Sequence, residues 1–172
     1  MNSARLKRVL RLHANGLPLV PPSRPVKLSA SSYPLPGWEK KKTRGSPKKW
    51  AARESRVDKA LRRFDRLSAG DVGISTITLA ELRYGIAKSR HVERNKQALE
   101  EFLLPLEVAD FDESAASAYG TVRAGLENAG RPIGPLDTQI GANALSLDAV
   151  LVTDNTTEFR RIKGLKIENW LD

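Results

Sequence analysis

Apolar residues recur along the last two thirds of the chain in two alternating rhythms. Val57, Leu61, Phe64 and Leu67 fall at spacings of four, three and three, which marks one face of a helix. Ser68 to Asp71 reads as a turn, and Val72 to Ile77 as a short strand. A helix follows from about Leu79 to Lys88, with Leu79, Leu82 and Ile86 inward, and another covers roughly Asn95 to Leu104. Leu106 to Ala109 predicts a strand. Glu113 to Ala129 predicts a longer helix with Ala116, Tyr119, Val122 and Leu126 facing inward, closed by Gly130-Arg131-Pro132. Leu136 to Leu147 is expected to be helical, Val150 to Thr153 a buried strand, Thr156 to Arg161 a short helix and Leu165 to Glu168 a last strand. Strands alternating with helices predict an α/β fold, with a mostly parallel sheet covered on both faces.

Upstream of residue 54 the pattern fails. Residues 4 to 13 are compatible with a short basic helix, but from Gly16 to Lys49 seven prolines interrupt any helix or central strand. Charge divides the chain at the same place. Residues 1–53 carry 13 Lys and Arg and one acid, Glu39, whereas residues 54–172 carry 16 Lys and Arg and 19 acids. The net +9 and the high pI therefore belong to the first third. This predicts two parts: a basic, Pro-rich segment over 1–53, disordered or foreign to the rest, and a globular α/β domain over 54–172.

Several chemistries drop out. The chain has no cysteine, which excludes disulfides, thiolate metal sites and a thiol nucleophile. Its two histidines, His13 and His91, lie near no other plausible ligand. No apolar run approaches the ~20 residues that cross a membrane. The expectation is a cytoplasmic protein without membrane attachment.

Three acids stand at the ends of apolar segments. Glu81 lies in I-S-T-I-T-L-A-E-L. It fits either a capping box with Thr78 or a functional edge. Asp137 lies in I-G-P-L-D-T-Q-I-G-A-N-A-L and opens an alanine-rich helix, where the helix dipole favours an acid and a buried seam asks for a partner. Asp154 lies in V-L-V-T-D-N. It is turn chemistry, or a ligand just past the carboxyl end of a strand, where α/β proteins bind. Glu158 is placed to join that site or to cap a helix. Asp110, Asp112 and Glu113 read as a solvated loop and helix start. Carboxylates converging on one sheet edge suit a hard divalent cation.

These residues carry a resemblance. I-S-T-I-T-L-A-E-L-R-Y-G, I-G-P-L-D-T-Q-I-G-A-N-A-L and L-V-T-D-N-T-T-E-F-R-R-I-K-G-L-K-I-E-N-W-L resemble the second, third and C-terminal motifs of VapC-type PIN-domain ribonuclease toxins. The resemblance covers about residues 55–172. It implies a PIN-like parallel sheet flanked by helices and a Mg²⁺- or Mn²⁺-dependent endoribonuclease of a type II toxin–antitoxin system. RNA would be the substrate, a cognate antitoxin the inhibitor, and a homodimer the assembly. Glu81, Asp137 and Asp154 would be the catalytic acids and metal ligands. The ion would neutralise phosphate charge and lower the pKa of a bound water, with Arg83, Lys88 and Arg131 as candidates to hold the RNA backbone.

The chain departs from this family at its start. The family begins with a short apolar strand ending in an aspartate, usually Asp-Thr-Asn, in the middle of the sheet. Residues 1–53 contain no aspartate, and Asp58 and Asp65 fall on the polar side of the first helix. A reading-frame shift or misassigned start would produce such a discontinuity; a genuine basic extension is the alternative. The expectation is a sheet whose first strand is absent or replaced, with Leu17 to Val20 and Pro25 to Leu28 as poor substitutes. Weak protection from hydrogen exchange would then follow around Val72 to Ile77 and Val150 to Thr153. A different class of function also remains open: a catalytically inactive remnant that binds only an antitoxin, or nucleic acid through its basic segment.

Overall fold

The computed structural model describes residues 6–11, 59–60, 62–64, 66–68 and 70–171. Five strands form one parallel sheet: β1 (Arg8–Leu10), β2 (Val72–Ser75), β3 (Glu107–Ala109), β4 (Val150–Val152) and β5 (Lys166–Glu168), in the order β3-β2-β1-β4-β5. The helices are α1 (Thr76–Ala87), α2 (Val92–Leu103), α3 (Glu113–Asn128), α4 (Pro135–Ser146) and α5 (Thr156–Phe159). Helical residues at 59–60 and 62–64 agree with the first expected helix; its Val57 and Leu61 lie outside the described residues. No helix among the described residues is long and apolar enough to cross a membrane.

At the centre of the sheet the usual first strand is replaced and not absent; what is corrected is the expected helix over residues 4–13. The centre is filled by β1, and β1 comes from the basic segment. Residues 8–10 are therefore strand rather than part of a short helix, and they belong to the folded body rather than to a tail. The two other stretches considered for that place, 17–20 and 25–28, lie outside the described residues. Arg8, Val9 and Leu10 pair with Val72, Gly73 and Ile74 on one side and with Val150, Leu151 and Val152 on the other. Val9 is fully buried and Leu10 is 5% exposed. Alternate side chains of a strand face opposite sides. Val9 accordingly joins a core with Leu126, Ile140, Leu151 and Phe159, while Leu10 joins a second with Ile74, Leu82, Val152 and Trp170. Burying each side chain stabilises by roughly 1.5–3 kcal/mol. Tertiary pairing on both edges decides the conformation of so short a piece; local propensity does not.

Charges of the basic segment are tied to the body. Lys7 Nζ lies 2.8 Å from Asp71 Oδ1 and, by that hydrogen bond, holds the Asp71 carboxyl below its usual range. Arg8 donates from Nε and Nη2 to Glu168, both at 3.3 Å. Trp170, buried as a large apolar residue near the end of the chain, donates its indole N–H to the same carboxylate at 2.8 Å. Burial pushes the Glu168 carboxyl up, but the bonds from Trp170 and Arg8 together outweigh it and leave it below its usual range.

Two glycines permit close approaches that position these layers. A Cβ on Gly73 would come within 2.3 Å of the Glu107 carbonyl oxygen, so β2 and β3 close only around glycine. A Cβ on Gly141 would meet Ile162 Cδ1 at 2.3 Å, so α4 beds against the segment after α5. Within α3 the buried positions include Ala115, Val122 and Leu126. Ala116, expected inward, is exposed; the inner face is turned by one residue at the start of that helix.

Candidate functional site

In a parallel sheet every strand ends on the same side, so residues just past β1, β2 and β4 share one edge. Helix α1 begins there directly, without a loop. Ser75, the last residue of β2, is its N-cap, and its hydroxyl accepts from Thr78 N at 3.0 Å. Its Oγ also donates to Thr78 Oγ1 at 3.0 Å, so this buried pair satisfies itself. The strand expected to run to Ile77 therefore stops at Ser75, because the cap starts the helix at Thr76. This also removes Glu81 from the expected capping box: Ser75, not a residue near Thr78, caps the helix, and Glu81 lies in its second turn.

Helix α4 brings the second acid. Gly134 is its N-cap and Pro135 its first residue, which suits the fixed φ of proline. Thr138 fastens this turn by donating from N and Oγ1 to Gly134 O, at 2.8 and 2.9 Å. Asp137 stands in the first turn, where the helix dipole favours its negative charge. Farther along, the fully buried Asn143 donates from Nδ2 to Asp110 O at 2.8 Å and ties α4 to the end of β3. Among the neighbouring acids, Asp112 caps α3 by accepting from Ala115 N at 2.8 Å, in keeping with its expected place at a helix start. Glu158 accepts from Asn155 Nδ2 at 3.1 Å, a local bond at the start of α5.

The residue that unites the site is Arg11, which carried no functional expectation. It follows β1 directly, and its backbone N donates to Val152 O at 2.9 Å, continuing the pairing with β4. Its side chain reaches both acids. Nη1 and Nη2 bond the two oxygens of Glu81, the second at 3.2 Å. Nε donates to Asp137 Oδ1 at 2.9 Å, and Nη2 lies at the same distance from that oxygen. The side chain of Arg11 is 4% exposed, against 25% for Glu81 and 14% for Asp137. A two-pronged grip on one carboxylate, with further contact to a second, is the geometry for which a planar guanidinium is suited.

Asp154 follows β4 at the same edge and is exposed. Among the described residues, no group of three or more His, Cys, Asp or Glu side chains is arranged to hold a metal ion. Of the three acids expected to share one cation, Glu81 and Asp137 both bond the Arg11 guanidinium. The donor set as it stands does not fit a divalent ion, because the oxygens that would coordinate it already accept from Arg11. Arg83 and Arg131 are exposed, and Lys88 is exposed with its ammonium 3.2 Å from the Tyr84 hydroxyl. Beside Glu81 a shallow, largely apolar cleft of about 480 Å³ opens between α1 and α4, lined by Ile77, Ala80, Tyr84, Phe111 and Leu136.

Arg11 was hard to find in the sequence. Val9-Leu10 is an apolar pair between arginines, too short for a period of two to register. The only signal was that an apolar pair ending in a polar residue is the minimum a central strand needs.

Comparisons with known proteins agree with this architecture. The PIN domain family matches residues 49–165. The tRNA(fMet)-specific endonuclease VapC of Shigella flexneri is 42% identical over 111 residues, 64% of this chain and 84% of that protein. Among solved structures, DNA-bound VapBC from Salmonella typhimurium aligns with a TM-score of 0.62 at 44% identity, covering 64% of this chain and 84% of that one. VapBC-1 from nontypeable Haemophilus influenzae aligns with a TM-score of 0.64 at 33% identity, covering 72% and 92%. The PIN-domain match starts downstream of β1 and Arg11, and includes Glu81, Asp137 and Asp154. The chain belongs to the PIN-domain family and, within it, to the VapC ribonucleases.

Proposed function

We infer that this chain is the ribonuclease component of a toxin–antitoxin pair, an endoribonuclease of the VapC type whose hydrolysis of RNA is impaired by its own first strand. The observation that carries the reading is the convergence of Glu81 and Asp137 at the carboxyl edge of a PIN sheet, with Asp154 at the end of β4 on the same edge. RNA is the substrate class, and a transfer RNA is the first candidate, since a similar protein is named for cleaving one. Tyr84 and Phe111 in the cleft beside Glu81 offer faces on which bases can stack. A cognate antitoxin is the partner, as the neighbouring structures are VapBC complexes, and a homodimer is the proposed assembly. The family's chemistry calls for Mg²⁺ or Mn²⁺ at Glu81, Asp137 and Asp154. In this structure two of those residues neutralise Arg11 instead.

The experiment is cleavage of an initiator tRNA transcript in Mg²⁺ by the full chain and by its Arg11→Asp variant. Weak or absent cleavage by the wild type, and EDTA-sensitive cleavage by the variant that Glu81→Gln abolishes, is the expected result. Failure of both to cleave would favour the second reading, for which the Arg11 ion pairs speak: a PIN protein that is catalytically silent and acts only by binding an antitoxin or nucleic acid.

A further inference from the structure

We propose that Arg11 is the resident cation of this site, a covalently attached counter-ion that replaces a divalent metal and keeps the acidic edge closed to it. The proposal rests on the acidic edge being that of a VapC-type site, and deepens that reading by stating what occupies it.

The argument is one of exclusion by geometry and charge. Mg²⁺ takes oxygens at ~2.0–2.1 Å in a near-octahedral shell and keeps several waters. Charge-assisted N–H···O bonds hold their oxygens at about 2.7–2.9 Å around a flat group. Arg11 bonds both oxygens of Glu81, one of them at 3.2 Å, and one oxygen of Asp137 at 2.9 Å. These oxygens face a guanidinium, and an ion entering between them would have to displace it. The guanidinium cannot leave by losing its charge, since arginine stays protonated in proteins. Nor can its backbone withdraw readily: the Arg11 amide is hydrogen-bonded to Val152, and the two preceding residues are buried in opposite cores. Glu81 and Asp137 in turn need a cation, because two adjacent, largely buried carboxylates repel and each loses solvation. Arg11 meets that need permanently. The site is thus complete without metal, and no metal is required for the fold around it.

The test uses the full chain and Mn²⁺ as the probe, with free Mn²⁺ followed by its electron paramagnetic resonance signal. The wild type should leave the signal unchanged up to concentrations at which Arg11→Asp has taken up one equivalent. That corresponds to an affinity at least about 100-fold tighter for the variant, and Asp137→Asn in the variant should abolish the uptake. A second measurement does not depend on the variant folding: the melting temperature of the wild type should be the same in Mg²⁺ and in EDTA. Uptake of Mn²⁺ by the wild type that is lost on Asp137→Asn would overturn the proposal. So would a Mg²⁺-dependent rise in melting temperature lost on the same change. The outcomes also separate this proposal from the functional reading beneath it. Metal uptake by Arg11→Asp without RNA cleavage upholds the counter-ion and removes the ribonuclease. Mg²⁺-dependent cleavage by the wild type as fast as that of Arg11→Asp does the reverse.

Discussion

Strands β1 and β4 lie side by side in register, with Val9 opposite Leu151 and Leu10 opposite Val152. Each is three residues long, and each places one side chain in either core. Each ends at the same edge. There the likeness stops: β1 continues into Arg11 and β4 into Thr153 and Asp154. One backbone geometry thus delivers a cation in one strand and an acid in its neighbour. The pairing of strands fixes where a side chain goes and says nothing about what charge it carries. A PIN sheet can therefore be rebuilt around a central strand of the wrong polarity, provided the acids it meets accept the exchange.

The bluntest way to break the comparison is to remove one member. Deleting residues 1–11 should abolish the cooperative transition in urea and the near-ultraviolet circular dichroism. It takes away three core side chains, Leu6, Val9 and Leu10, and leaves the ladder edges of β2 and β4 unpaired, against a total stability of about 5–15 kcal/mol. A cooperative transition with an unchanged midpoint would show that β1 contributes nothing. It also reverses the hydrogen-exchange expectation drawn from a vacant centre: with β1 in place, Val72–Ser75 and Val150–Val152 should be well protected.

A matched pair of truncations sharpens the likeness. Leu10→Ala and Leu151→Ala should each destabilise by about 2–5 kcal/mol, and by similar amounts, since both leucines are buried in the middle of the sheet. Urea midpoints at constant slope measure this. A large loss at Leu151 with none at Leu10 would end the equivalence of the two strands.

The smallest effect concerns the bond between β1 and β5. Glu168 is held below its usual pKa of 4.5, so its contribution is complete above that pH and lost as pH falls through the lowered value. Glu168→Gln should lower the urea midpoint at pH 7 by the equivalent of less than about 1 kcal/mol, as befits a partly exposed pair. The gap between variant and wild type should close in acid. A gap that widens as pH falls would mean that Arg8 and Trp170 do not stabilise the charged form.

Most of the body was legible in the sequence. From Leu79 to Glu168 the helices and strands fall within a few residues of their expected bounds, because the periods are long enough to declare themselves. Glu81 and Asp137 were legible as acids at segment ends for the same reason. What failed was the capping box of Thr78 and Glu81, since Ser75 offers a hydroxyl three residues before Thr78, and everything about β1. A three-residue strand has no period, and its placement depends on partners more than sixty positions away. The division of charge was visible but misjudged. Basic residues read as belonging to a solvated tail include Lys7, Arg8 and Arg11, and each of these three meets an acid of the net-negative body.

The position of β1 also has a consequence in time. Arg8 pairs with Val72 and with Val150, so the first strand made is bordered by one made far later. At a synthesis rate of about 5–20 residues per second, residue 8 waits roughly 7–28 seconds for its second neighbour. Until then Val9 and Leu10 have no completed sheet in which to be buried. Such distant pairing raises contact order and slows folding. The nascent chain must carry its central strand outside the fold until β4 has been made, the interval in which a chaperone or a neighbouring chain has its best opportunity to capture it.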